Sequence, residues 1–393
     1  MTTQSTTQGQ ALARPHLQPL RKLQDLGQSL WLDYIRRDLI SSGELQRLIA
    51  EDGLRGITSN PAIFEKSITG SRDYDEDIRA MAHQGKGAME IYEALSQRDV
   101  QRAADEFRTL YESTDAADGY VSLEVNPHLA HDTPGTIVEA RRLWAALNRP
   151  NVMIKVPATT EGLPAIRQLI LEGINVNVTL LFGLPRYRQV AEAYVAGLEA
   201  RAAQGEPLRH VASVASFFVS RIDQLIDPLL EKCIARGGEL AAPARKARGE
   251  VAIASARCAY QIYKEVFESE RFGRLAGKNA RTQRPLWAST GTKNPDYEDT
   301  KYVEALIGAD TVNTVTVETL DAYREHGDPK TRIEDDVEEA LALLARLPQL
   351  GISIDDIAQQ LETEGIGKFT TPFDNLLGAL GKIARSNQGA VIS

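Results

Sequence analysis

The segment VMIKVPA, residues 152–158, has the alternating pattern of a β-strand. Successive side chains of a strand point to opposite faces. Val152, Ile154 and Val156 therefore share an apolar face, and Lys155 lies on the other face. The pattern predicts a strand that buries its apolar face against helices and turns a lysine toward the opposite side.

Seven more short β runs occur along the chain, separated by stretches of helical length. They are SLWLDYI (29–35), GITSN (56–60), YVSLEV (120–125), INVNVT (174–179), HVASVASFF (210–218), PLWAST (285–290) and TVNTVT (311–316). Strands that alternate with helices indicate βα units and a parallel sheet. No glycine-rich phosphate-binding pattern follows the first strand, which disfavours a doubly wound sheet. The eight units predict an α/β fold, namely a single (β/α)₈ TIM barrel.

Helical patterns fill the remaining sequence. A leucine stripe predicts the first helix over 15–27, and Thr133-Pro134 is typical of a cap followed by a first-turn proline. Further helices are predicted over 44–51, 133–147, 221–235, 248–267, 333–347, 354–364 and 372–385, with a linker over 237–247 and a basic loop over 270–284.

The length of 393 residues bears on domain organisation. At about 100 to 200 residues per domain it suggests two or three domains, but one barrel needs about 250 residues. The barrel pattern favours a single catalytic domain over residues 15–393. The residues beyond the about 250 of one barrel then lie in extra N-terminal helices, an insertion around 221–284 and a helical C-terminal extension. The polar residues 1–14 are predicted to be a disordered tail.

Charge and composition exclude several classes of protein. The 54 acidic residues outnumber the 45 basic ones and give a net charge of -9, which argues against binding nucleic acid or anionic lipid. Cys233 and Cys258 lack a CxxC spacing and are expected to be free thiols in a reducing compartment. No signal peptide or long apolar run is visible, so we expect a cytoplasmic protein without a membrane partner.

A lysine inside a barrel is a candidate nucleophile. Burial raises the free energy of an ammonium ion and so favours the neutral amine, which can attack a carbonyl and form a Schiff base. The alternative is that Lys155 lies on an exposed edge strand or in an internal ion pair.

Polar side chains on three other strands point to the same interior. Asp33 lies opposite an apolar face in the first strand, and Glu124 does so in the third. The fifth strand turns Asn177 and Thr179 inward with Asn175. Schiff-base chemistry needs a proton shuttle near the amine and a base for a hydroxyl proton, which two carboxylates can divide. An internal salt-bridge network is the competing interpretation.

These segments also carry a family resemblance: the chain resembles transaldolases, in their longer bacterial form. The matching segments, in the order of the family, are TSNPAIF (58–64), VSLEVNPHLAHD (121–132), VMIKVPAT (152–159) with Gly162, GINVNVTLLF (173–182), SFFVSRID (216–223) and PLWASTGTKNP (285–295). Because they span most of the chain, the resemblance is specific.

The resemblance implies a role for each matching residue. Lys155 matches the Schiff-base lysine, and Asp33 matches the acid/base that moves the hydroxyl proton when the carbon-carbon bond is cleaved. Glu124 matches the carboxylate that moves protons in imine formation through a water held with Thr179. The positions that match the lining of the dihydroxyacetone end are Thr58, Asn60, Asn177 and Ser216. Phe218 matches an aromatic residue near that site, and Arg221 matches a phosphate-binding arginine.

One departure concerns the phosphate site. Many shorter members of the family carry a second arginine two residues after the serine that here is Ser289, but this chain has Gly291 there. Lys293 and backbone amides of the loop are the predicted substitutes, although a solvated loop lysine is the alternative. The basic run 271–284 is interpreted as a solvated face rather than a surface that attracts phosphates.

Weaker signals predict neither a metal nor a cofactor. His128 and His131 have a spacing that metal ligands use, but no further ligands are evident in the sequence. GIGKF, residues 365–369, is too short a glycine pattern for a nucleotide site. The predicted partners are small sugar phosphates, and both a monomer and a homodimer remain open.

The predicted function is transfer of a dihydroxyacetone unit between sugar phosphates. A simple aldolase that releases free dihydroxyacetone and a non-catalytic barrel that binds sugar phosphates are the alternatives.

Overall fold

A computed structural model describes residues 19–389, and within them eight parallel strands close into a barrel in the order β1 to β8. The strands are β1 Gln28–Asp33, β2 Gly56–Thr58, β3 Tyr120–Glu124, β4 Val152–Pro157, β5 Val176–Leu181, β6 Ser213–Phe218, β7 Arg284–Ala288 and β8 Thr311–Val315. Each overlaps one of the eight predicted runs. The predicted (β/α)₈ TIM barrel is therefore confirmed.

Helices surround the barrel. They are α1 Pro19–Asp25, α2 Arg37–Ser41, α3 Glu44–Arg47, α4 Pro61–Thr69, α5 Asp75–His83, α6 Ala88–Glu106, α7 Arg108–Ser113, α8 Thr133–Leu147, α9 Gly162–Glu172, α10 Leu184–Ala203, α11 Ser220–Arg236, α12 Ala241–Ala247, α13 Val251–Phe267, α14 Glu270–Ala276, α15 Lys301–Ala305, α16 Val317–His326, α17 Val337–Arg346 and α18 Ile354–Gly389. Short helical turns are a π-helical turn at Leu48–Asp52 and 3₁₀ turns at Pro127–Leu129 and Leu347–Leu350. No helix in this part of the chain combines the length and apolarity that crossing a membrane requires.

The strand register determines which side chains meet inside the barrel. Glu124 of β3 is in register with Lys155 of β4, which is in register with Asn177 of β5. Asp33 of β1 is in register with Thr58 of β2. Residues in register on neighbouring strands point to the same face, so these polar groups line one interior.

A close backbone approach occurs one layer below the polar groups. Gly56 is in register with Trp31, whose indole is fully buried. A Cβ atom added at Gly56 would lie 2.5 Å from the indole atom Cε2. The absence of a side chain at position 56 therefore makes room for the tryptophan inside the barrel.

We expect Gly56→Ala to lower the free energy of unfolding by about 2 to 3 kcal/mol, because the indole or the strand must shift. Urea denaturation measures this, with Gly378→Ala as the control. Gly378 lies in α18, and an added Cβ there meets nothing within 4 Å, so that variant should be about 0.5 to 1 kcal/mol more stable. Equal stability of Gly56→Ala and the wild type would contradict the packing argument.

Several helix predictions were wrong in detail. The cap of α8 is Asp132, whose carboxylate accepts a hydrogen bond from the amide of Gly135, while the Thr133 hydroxyl donates to the Glu161 carbonyl. The predicted linker contains α12, and the basic loop contains α14. The start predicted for the first helix and the predicted tail lie outside the described residues.

The two helices predicted over 354–364 and 372–385 form one continuous helix, α18. Pro372 lies inside α18, which is 36 residues long. An internal proline costs a helix about 3 kcal/mol, but the neighbouring turns bury large apolar side chains against α4, α5 and α6. They include Phe369, Phe373, Leu376 and Leu380, each at most 4% exposed. This packing maintains the helix through the proline.

Candidate active site

Lys155 lies on β4 inside the barrel, with 4% of its surface exposed. Its Nζ atom donates a hydrogen bond of 2.9 Å to the carbonyl oxygen of Ser59, just beyond β2. The same atom is 3.3 Å from Oε2 of Glu124. The lysine is thus held at a buried position next to a carboxylate.

Glu124, at the end of β3, is 6% exposed. Neither of its carboxylate oxygens has a hydrogen-bond partner within residues 19–389, so its contact with Lys155 is an ion pair without hydrogen-bond geometry. Burial raises the pKa of the Glu124 carboxyl to about 7, although the charge of Lys155 opposes the shift. A carboxyl with such a pKa can both donate and accept a proton near neutral pH.

This pKa predicts a pH dependence of stability. Folded Glu124 holds its proton up to about pH 7, whereas the ordinary pKa of a glutamate carboxyl is 4.5. The unfolded chain binds fewer protons in that window, so stability falls as the pH rises through it, by up to about 3 kcal/mol for this group. We expect Glu124→Gln to lose less stability than the wild type between about pH 5 and about pH 8.

Urea denaturation of both proteins at the two pH values measures the difference. Glu172→Gln is the control. The pKa of Glu172 is lowered by its hydrogen bond to Arg141, so this carboxyl does not change its protonation between the two pH values. Identical pH dependence in the Glu124→Gln variant and the wild type would contradict the shift.

Asp33 ends β1 and faces the same interior. Its Oδ1 atom accepts a hydrogen bond of 2.6 Å from the Thr58 hydroxyl, which also lies 2.8 Å from the hydroxyl of Thr314 on β8. Enclosure by the barrel raises the pKa of the Asp33 carboxyl, and the charge of Lys155 is the largest opposing effect. The charges of Arg221 and Lys293 oppose it more weakly.

A second set of buried hydrogen bonds crosses β3, β5 and β6. The hydroxyl of Ser216 donates to Oδ1 of Asn177 at 2.7 Å, and Nδ2 of Asn177 donates to the hydroxyl of Ser122 at 3.0 Å. Thr179 is fully buried, and its hydroxyl has no hydrogen-bond partner in the described chain. The barrel therefore offers both an ordered polar lining and an unsatisfied hydroxyl near the lysine strand.

Two cations lie at the mouth of the barrel. Arg221, in the first turn of α11, stacks its guanidinium 5.3 Å from the ring centre of Phe218, and its buried Nη1 atom has no hydrogen-bond partner. Lys293 lies on the loop after β7, near enough for its charge to act on Asp33. Within residues 19–389 neither side chain forms an ion pair or hydrogen bond with protein groups. Cationic side chains without such partners can bind an anion.

The remaining predicted site residues lie at the same end of the barrel. Asn60 caps α4 by accepting a hydrogen bond from the amide of Ile63. Ser289, at a φ of 55°, places its hydroxyl 3.1 Å from that of Ser220.

One aromatic contact at the lysine could not be predicted from sequence patterns. The ring centre of Phe369, on α18, is 5.7 Å from Nζ of Lys155. Gly365, one turn earlier, lets the helix approach the barrel, because a Cβ there would lie 2.8 Å from Leu180. The GIGKF segment is thus where the C-terminal helix passes the lysine. Phe369 is far from Lys155 in sequence, so only the folded structure shows that the two side chains are in contact.

Other sequence signals lie apart from the barrel interior. His128 pairs with Asp374 at 2.8 Å, and His131 pairs with Glu161 at 3.1 Å. No group of three or more potential metal ligands occurs in the described residues. In the basic run, the side chains of Arg271, Arg281 and Arg284 are all paired with carboxylates of the protein, and that of Arg284 is only 18% exposed.

A closed parallel barrel with a buried lysine flanked by carboxylates at the strand ends defines a (β/α)₈-barrel enzyme. Comparison with known proteins makes the assignment specific. Residues 30–380 match the model of the family described as Transaldolase/Fructose-6-phosphate aldolase. The chain belongs to this family and is a transferase of the transaldolase type.

Curated relatives share nearly the whole chain. A transaldolase of Trichodesmium erythraeum is 48% identical over 365 residues, covering 92% of this chain and 96% of the relative. Transaldolase 2 of Nostoc sp. is 48% identical over 370 residues, covering 93% and 97%. A transaldolase of Saccharopolyspora erythraea is 47% identical over 359 residues, covering 91% and 95%.

Proposed function

We propose that this enzyme transfers a dihydroxyacetone unit from a ketose phosphate to an aldose phosphate through a Schiff base on Lys155. The donor is sedoheptulose 7-phosphate or fructose 6-phosphate, and the acceptor is glyceraldehyde 3-phosphate or erythrose 4-phosphate. This reaction belongs to the pentose phosphate pathway, in the cytoplasm. The observation that carries the proposal is the buried Lys155 amine, 3.3 Å from Glu124.

The first step joins the donor to the enzyme. The amine of Lys155 attacks the C2 carbonyl of the ketose, and the resulting carbinolamine loses water to give an iminium ion. Glu124 supplies the proton for the departing hydroxyl through a water held with Thr179. The unpartnered oxygens of both side chains support this role.

The second step cleaves the carbon-carbon bond. Asp33 accepts the proton of the C4 hydroxyl, the bond between C3 and C4 breaks, and its electrons pass into the iminium to form an enamine on Lys155. The aldose leaves. The enamine then attacks the acceptor aldehyde, Asp33 returns the proton to the new hydroxyl, and hydrolysis of the imine frees the product.

The phosphate of each sugar binds at the mouth. Arg221 and Lys293 are the proposed cationic partners, because neither has an ion-pair or hydrogen-bond partner in the described chain and the charges of both lower the pKa of Asp33. Thr58, Asn60, Asn177 and Ser216 would line the dihydroxyacetone end, with Phe218 and Ser289 beside them.

A transfer assay tests the proposal. Fructose 6-phosphate is supplied with and without erythrose 4-phosphate, and free dihydroxyacetone and sedoheptulose 7-phosphate are measured. A transferase turns over only with the acceptor. Continuous release of dihydroxyacetone without acceptor would favour the aldolase alternative, and binding without turnover would favour a non-catalytic barrel.

A further inference from the structure

Two buried carboxylates lie outside the catalytic steps. Asp223 and Asp227 are one helical turn apart on α11, the helix that begins at Ser220 and presents Arg221. They are 1% and 5% exposed. Burying two like charges close together is costly unless each is well satisfied. Their hydrogen-bond partners therefore indicate what they hold in place.

Asp223 joins α11 to two other elements. Its Oδ1 atom accepts a hydrogen bond of 2.8 Å from the amide of Ala252, in the first turn of α13. Its Oδ2 atom accepts one of 2.8 Å from the hydroxyl of Tyr302, in α15. Burial and the neighbouring Asp227 raise the pKa of the Asp223 carboxyl to about 7, so these two donors satisfy a group that is costly to ionise.

Asp227 makes the equivalent connections one turn later. It accepts a hydrogen bond of 2.8 Å from the amide of Gly249 and one of 2.6 Å from the hydroxyl of Tyr297. Gly249 has a φ of +73°, and a Cβ there would lie 2.7 Å from the tyrosine ring. The ammonium of Lys301 lies 4.5 Å from the centre of the same ring. Tyr297 is thus fixed at both its hydroxyl and its ring.

The loop that Tyr297 anchors is the loop that carries Lys293. Residues 289–300 connect β7 to α15, and the hydroxyl of Thr290 fixes the start of this loop by donating to Asn313 at 2.8 Å. Lys293 lies between these two anchors. Lys293, Tyr297 and both aspartates line one cleft of about 250 Å³, so the anchor and the lysine belong to one local structure.

We propose that Asp223 and Asp227, with Tyr302 and Tyr297, form a clamp that positions Lys293 for binding the phosphate of the acceptor sugar. This inference rests on the proposed function. The four side chains act through the loop and do not touch the reacting atoms. Loss of one clamp hydrogen bond should weaken phosphate recognition while the chemistry at Lys155 continues.

The test compares two acceptors in the full-length Tyr297→Phe variant. With fructose 6-phosphate as donor, kcat/KM is measured for glyceraldehyde 3-phosphate and for unphosphorylated glyceraldehyde. Since the acceptor meets an enzyme that already carries the three-carbon unit, its kcat/KM reports the second half-reaction. The ratio of the two values should fall about tenfold, through a higher KM for the phosphorylated acceptor.

Matched variants complete the experiment. Tyr260→Phe is the control, because the buried Tyr260 hydroxyl donates to the Ala309 carbonyl at 3.1 Å, before β8 begins. It should leave the ratio unchanged. Asp227→Asn keeps the shape of the side chain and should lower the ratio as Tyr297→Phe does. The double variant Lys293→Ala with Tyr297→Phe should be no worse than Lys293→Ala alone.

Four results would overturn the clamp: an unchanged ratio in both clamp variants, an equal loss for both acceptors, additive effects in the double variant, or no effect of Lys293→Ala on the ratio. A wild-type enzyme that transfers nothing would overturn the proposed function, and this inference with it. That failure is seen in the unmodified protein, so the two can be distinguished.

Discussion

We expect replacement of Lys155 with methionine to abolish transfer and to leave no covalent adduct when borohydride is added with donor sugar. Methionine keeps an unbranched apolar stem but cannot form an imine. Because every proposed step passes through that bond, we expect kcat to fall by at least about 10⁴-fold. Mass spectrometry of the reduced protein, with peptide mapping, measures the adduct and its position.

Lys246→Met is the matched control for this result. Lys246 is exposed and pairs with Glu339 at 3.2 Å, far from the barrel interior, so this variant should retain full activity and trapping. Circular dichroism checks that both variants are folded. An adduct of wild-type yield in Lys155→Met would refute the assignment of the Schiff-base lysine.

Asp33→Asn separates imine formation from bond cleavage. The amide cannot accept the hydroxyl proton, so we expect turnover to fall by about 10³-fold. The imine should still form, because Lys155 and Glu124 remain paired at 3.3 Å. Borohydride should then trap the intact donor sugar, and the mass of the adduct should be that of the whole ketose instead of a three-carbon fragment.

Asp38→Asn is the control, since Asp38 pairs with Arg36 on the surface at 3.1 Å. It should behave like the wild type. Loss of trapping together with turnover in Asp33→Asn would assign Asp33 to imine formation, and unchanged turnover would remove it from the mechanism.

The barrel could be predicted from sequence because each strand is short, apolar on one face and flanked by helical lengths. Alternation alone also turns Lys155, Glu124 and Asp33 to a common side. The register could not be predicted, since it depends on pairing between strands distant in sequence. It is the register that puts Glu124 beside Lys155.

The helices show where local signals are overridden. Proline usually ends a helix, so Pro372 predicted a break, but Phe369 and Phe373 bury enough apolar surface to keep α18 continuous. The clamp was invisible for a related reason. Asp223 and Tyr302 are 79 residues apart, and neither belongs to a pattern that predicts their contact.

The position of α18 makes the order of synthesis matter. All eight strands, and every residue proposed to act on substrate, are encoded before residue 316. Phe369, which contacts the lysine, is encoded more than fifty residues later. A chain released by the ribosome just before α18 would contain the complete barrel but would leave the lysine without this cover and the outer face of α4 to α6 exposed. The last helix of the described chain thus supplies the aromatic ring beside Lys155.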